Sequence, residues 1–197
     1  MAYNSSMAKI HCVKNNTWLW VLRLALLCAS IATMIFIFSN SLKSAEESSR
    51  QSSNALQVVQ KIAMVIAPDS QIANATGPWY DFLHTAIRSM AHFLEFALLG
   101  ALCSFTIFTY TFSKAWQGGA ILSTVAVAVV DECLQLTAIS RAFEFADILL
   151  DGCGGMVGVA FAVLCVWIGV CVSRKRKVKK EKACDAVDSF ADKAIKE

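Results

Sequence analysis

Four apolar runs, at residues 18–38, 87–112, 115–137 and 147–172, constrain this chain more than any other feature of it. A bilayer core of about 30 Å takes about 20 helical residues per crossing, and each run is long enough. The reading is therefore all-α: a polytopic membrane protein with a four-transmembrane-helix bundle. Composition agrees, since 17% of residues are charged against the roughly 25% usual in a soluble domain. The first run could also be a signal peptide, but it exceeds the usual 7–15 apolar residues of such a segment and lacks a clear A-x-A site.

Basic residues set the expected orientation. Lys9, Lys14 and Arg23 lie at one end, and seven of the eighteen Lys and Arg residues fall between Arg174 and Lys182. Positive charge favours the cytoplasmic side, so both termini are expected there and the segments 39–86 and 139–146 outside. The expected organisation is a cytoplasmic tail at 1–17, a membrane domain at 18–172 and a basic cytoplasmic tail at 173–197, in a multi-pass protein of a bacterial cell membrane. The basic tail reads as a topology signal that can also attract anionic lipid, not as a nucleic-acid surface.

The long extracytoplasmic loop is rich in Ser, Gln and Asn. Residues 55–67 within it are apolar on much of a helical circumference but too short to span, which suggests a short amphipathic helix on the membrane surface or on the bundle. Gly77-Pro78 marks a break, and Trp79 and Tyr80 read as interfacial anchors. The short link around Lys114 makes the second and third spans antiparallel neighbours.

Eight cysteines show no C-x-x-C spacing, and neither a disulfide framework nor a zinc site is expected. Cys28, Cys103, Cys133, Cys153, Cys165 and Cys171 lie in or beside apolar runs and read as small core residues.

Charged residues inside the spans carry the functional signal. Arg88, His92 and Glu95 share a helix face by their i, i+4 and i+3 spacing. At about 1.5 Å per residue, His92 lies roughly 6 Å and Glu95 roughly 10 Å below Arg88. Asp131, Glu132 and Gln135 near the end of the third span, and Asp147 and Asp151 at the start of the fourth, fall in the same outer slab. A charge at a helix centre costs about 2.5–3.5 kcal/mol on insertion scales. Pairing with Arg88, His92 and Arg141, protonation of some acids, or a water-filled cavity open to the outside would offset that cost. One reading is a network that only fixes helix packing; the other is a polar pocket for a ligand or a reaction. Gly154, Gly155 and Gly158 on the fourth span read as helix-packing positions, with G-x-x-x-G allowing close backbone approach. Gly100 reads as a packing contact, and Gly118-Gly119 as a turn into the third helix.

These residues together resemble the VanZ-like family of bacterial membrane proteins. The resemblance rests on Phe38-Ser39-Asn40-Ser41 with Glu47-Ser48 and Ser52, on Arg88, His92 and Glu95-Phe96, on Asp131-Glu132 with Gln135, and on Arg141 through Asp147, Asp151 and Gly154-Gly155. The family usually has Lys where this chain has Arg88, Tyr in place of Phe96 and His in place of Leu134. The first difference keeps the positive charge, and the other two remove polar groups. The family's best-known member is associated with resistance to the glycopeptide teicoplanin. The resemblance implies an envelope or resistance role, with the bilayer and a lipid-linked cell-wall precursor or glycopeptide as partners.

Three function classes follow. A non-enzymatic envelope protein with an outward polar pocket is favoured, with no metal or other cofactor. A membrane-embedded enzyme acting on a lipid or peptidoglycan precursor would pair His92 or Glu95 with Asp131 or Glu132 as general acid and base, and its carboxylates could hold a hard divalent cation. No H-E-x-x-H, G-x-S-x-G or phosphate-cradling loop names a chemistry, so the catalytic residues stay open. A transporter or proton relay is the third class, weakened by the absence of an internal repeat.

Overall fold

The computed structural model describes the backbone of residues 2–138 and 144–196, and the side chains of residues 17–113, 115–138 and 144–176. All regular structure among them is helical: α1 (Ala2–Ser41), α2 (Ala45–Ile66), α3 (Pro78–Phe108), α4 (Lys114–Gln135) and α5 (Phe145–Lys196). Four segments, Thr17–Ser41, Pro78–Phe108, Ala115–Gln135 and Phe145–Arg176, are long and apolar enough to cross a membrane. The chain is a multi-pass membrane protein.

Two units divide the chain, residues 1–160 and 161–197. The second continues α5; it exposes Phe161, Leu164, Trp167 and Ile168, a surface suited to lipid, and then Arg174, Lys175 and Arg176.

Local chemistry explains where the helices begin. Ser44 caps α2 with an extended backbone and a hydroxyl that accepts the Glu47 N–H at 3.2 Å, while Glu46 and Glu47 place negative charge in the first turn. This start lies ten residues before the apolar stretch that announces the helix in sequence, because its first half is polar on most sides. At α3, Gly77 takes a φ of 58°, a conformation that costs glycine little, and Pro78 supplies a ready-made first helical residue.

Helix α2 packs against α3 with its polar side inward. Ser48, Ser52 and Leu56, spaced four apart, are buried, whereas Val58, Val59, Ile62, Val65 and Ile66 are exposed. That arrangement suits a helix whose outer surface meets lipid and whose inner surface meets polar groups.

Helices α1, α3 and α4 meet around Ile37, Phe96, Leu99 and Ala128, with Phe38, Cys103, Val127 and Ile148 at the margin. Between α3 and α5 the contact is backbone to backbone. A Cβ on Gly154 would collide with the Phe93 carbonyl, one on Gly158 with Ala97, and one on Gly100 with the Gly155 carbonyl. A Cβ on Gly155 would strike Thr124 of α4. At the opposite end of α3, Arg23 donates to the Thr109 carbonyl at 2.6 Å and stacks over the Tyr110 ring at 4.0 Å. A cation at the carbonyl end of a helix is favourable.

Two expectations need correction. Gly118 and Gly119 lie inside α4 rather than in a turn before it, because the chain is already helical from Lys114. Cys28, Cys133, Cys153 and Cys165 are exposed rather than in the core. In a membrane helix, lipid-facing and core-facing positions are both apolar, so composition does not separate them.

Candidate functional site

The ends of α1 and α4, the middle of α3 and the start of α5 converge on a set of polar side chains. From α1, Ser41 donates its hydroxyl to Asp131 Oδ1 at 2.6 Å; from one turn along α4, Gln135 Nε2 donates to Oδ2 at 3.1 Å. The Asp131 carboxylate is thus held at both oxygens, and Ser41, Asp131 and Gln135 are all buried. One residue earlier, Asn40 Nδ2 donates to Glu95 Oε1 at 2.9 Å while Lys43 Nζ donates to Asn40 Oδ1 at 2.8 Å. A lysine at the helix end is in this way linked through an amide to a carboxylate on α3.

His92, Asp131 and Asp151 come close to one another. One ligating atom from each, an imidazole nitrogen and two carboxylate oxygens, lies within 4.8 Å of the other two. Asp151 is 2% exposed, and its Oδ1 finds no hydrogen-bond donor among the described residues. Glu95 Oε2 is in the same position. Asp131, Glu132 and Asp151 are buried, yet no lysine or arginine is buried among the described residues.

The Asp131-Glu132 doublet serves two places, since adjacent positions on a helix point about 100° apart. Glu132 Oε1 accepts the N–H of Glu144 at 2.6 Å, just before α5 starts. A carboxylate there satisfies an otherwise unpaired donor and complements the positive end of the helix. Asp147 lies one turn before Asp151 and is half-buried. Arg141 lies outside the described residues.

Beside the cluster is a cavity of about 220 Å³, lined on the α3 side by Ile87, Arg88, Ala91, His92 and Glu95 and on the other by Asn40 and by Ser48, Gln51, Ser52 and Ala55 of α2. Arg88, His92 and Glu95 therefore do share a face, and that face borders the cavity. The sequence reading placed Asn40, Ser41, Ser48 and Ser52 in the family pattern but not in the pocket, and did not single out Lys43. Their signal was the run of short polar residues immediately after the first span.

Residues 25–167 match the VanZ/LLP1 family. The chain belongs to that family. No curated protein and no solved structure matches it. The matched stretch of this VanZ-like chain contains every side chain of the cluster and the cavity, from Asn40 to Asp151.

Chemically, a histidine beside two buried carboxylates can exchange protons with a ligand or share a cation. Arg88 and the amides and hydroxyls of the cavity wall suit an anionic or heavily hydroxylated group.

Proposed function

We propose that this VanZ-like protein acts at the envelope of a bacterial cell, with both termini in the cytoplasm and the polar cluster toward the outer surface. The basic residues at the span ends support that orientation. The cavity takes the polar headgroup of a lipid-linked cell-wall precursor, and occupancy lowers the action of teicoplanin on the surface. The observation that carries this reading is the Arg88, His92 and Glu95 face, which lines a polar cavity within a helix long and apolar enough to span. Intramembrane ionisable groups that border a cavity are expensive and mark ligand paths. At about 220 Å³, the cavity is below the roughly 300–1,000 Å³ of drug-sized sites, so it suits a headgroup fragment and not a whole glycopeptide.

The test is the inhibitory concentration of teicoplanin and vancomycin for a susceptible Gram-positive host expressing the chain, beside an equally abundant Asp131→Asn, Glu132→Gln double variant. A rise for teicoplanin that disappears in the variant is expected. No rise with correctly inserted wild-type protein would remove this function.

A second reading is a membrane-embedded enzyme acting on the same class of precursor. The proximity of His92 to Asp131 and Asp151 favours it, because an imidazole and a carboxylate can serve as acid and base. Turnover of a lipid-linked precursor by purified protein, lost in His92→Gln, would select it over binding alone.

A further inference from the structure

The buried acids of this protein raise a problem of charge. Three carboxylates, on Asp131, Glu132 and Asp151, are withdrawn from solvent, and no lysine or arginine among the described residues is buried with them. Glu132 has the Glu144 amide, and Asp131 has Ser41 and Gln135. Asp151 differs: it is 2% exposed and its Oδ1 is without a donor among the described residues. That oxygen belongs to the side chain that approaches Asp131 and His92. A buried carboxylate with an unsatisfied oxygen beside a second carboxylate is costly unless one of them is protonated or a cation lies between them.

We infer that His92, Asp131 and Asp151 form a binding site for one divalent transition-metal ion of the zinc or manganese type. One imidazole nitrogen with two carboxylate oxygens is a donor set for such ions rather than for magnesium or calcium, which prefer oxygen alone. Ligating atoms in a tetrahedral zinc site lie about 3.3 Å apart, from bond lengths of about 2.0–2.2 Å. The three atoms here all lie within 4.8 Å of one another, so that spacing asks for a closure of at most about 1.5 Å between any two of them. Ser41 and Gln135 hold the Asp131 carboxylate from behind, as partners of metal-binding carboxylates do. Three protein ligands leave a coordination position free. His92 also lines the 220 Å³ cavity, so a water or an anionic oxygen in that cavity can complete the coordination shell. The site stands on this geometry and holds whether or not the cavity takes a cell-wall headgroup.

The test uses the full chain, purified in detergent, stripped with chelator and titrated separately with Zn²⁺ and Mn²⁺. Bound metal is counted by mass spectrometry, and Mn²⁺ is also followed by its paramagnetic resonance signal. One equivalent of Zn²⁺ or Mn²⁺ is expected, with affinity weaker by about a hundredfold or more in Asp151→Asn and in His92→Gln and by about tenfold in Ser41→Ala. Cys28→Ser should bind as wild type does. Asp151→Asn keeps the shape of the side chain and removes the unmatched charge, so the metal-free variant should unfold at or above the wild-type temperature. Added metal should raise the wild-type unfolding temperature and leave that of Asp151→Asn unchanged. Folded wild-type protein that retains neither ion, or retention equal in all variants, would overturn the inference. A positive metal result with no change in teicoplanin susceptibility would keep the site and discard the proposed function.

Discussion

Ser41 and Asp131, 90 residues apart in the chain, are joined by a 2.6 Å hydrogen bond from hydroxyl to carboxylate. The bond ties the last residue of α1 to α4 in a buried setting. Ser41→Ala should therefore lower stability by about 1–2 kcal/mol, within the range for buried bonds to charged groups and for side-chain bonds between membrane helices. Reversible unfolding in mixed micelles would measure it, and Ser39→Ala, whose hydroxyl returns to Ile35 of its own helix, should change little.

Glycine positions divide sharply. Gly158→Val forces a side chain into the Ala97 backbone and should destabilise the protein by about 1–3 kcal/mol or more, because neither helix backbone can yield locally. Gly118→Ala has open space around its new methyl group and should be neutral or stabilise by roughly 0.5–1 kcal/mol through helix propensity. Thermal unfolding of both variants in the same detergent separates the two cases.

Filling the cavity should separate function from folding. Ser52 is buried on α2 and lines the cavity. Ser52→Leu places an apolar side chain where the proposed headgroup would lie. Any teicoplanin protection should fall to the level of the empty host, while protein abundance stays within about twofold of wild type because the larger side chain enters cavity space and not a packed core. Parallel immunoblots and susceptibility measurements check both halves.

Orientation can be read chemically. With the native cysteines replaced, Ser70→Cys in the connection between α2 and α3 should react with a membrane-impermeant maleimide in intact cells. The native Cys184 alone should react only after permeabilisation. The reverse pattern would move the polar cluster to the cytoplasmic face and end the envelope reading.

The spans were legible in the sequence because length and hydropathy are properties of a single segment. The grouping of Arg88, His92 and Glu95 on one face was legible too, since helical spacing fixes it. What sequence could not separate was rotation. Asp131 and Glu132 looked like one acidic pair, but a helix turns them toward different neighbours, one to Ser41 and the other to Glu144. The same ambiguity placed Cys28 and Cys133 in the core, although both face outward. Contributions from Asn40, Ser48 and Ser52 depended on how α2 folds back on α3, a tertiary fact with only a weak local signature.

The glycine contacts between α3 and α5 have a mechanical meaning. Where backbones touch at Phe93 and Ala97, there is no compressible layer of side chains between them. Across the cavity, α2 meets α3 through short serines and a single leucine, Leu56, and turns its apolar side outward. The vessel therefore has one stiff wall and one compliant wall. A guest larger than the 220 Å³ cavity extends through its open side or displaces α2, and where it displaces α2 the lipid beside Val58, Ile62 and Val65 is displaced with it.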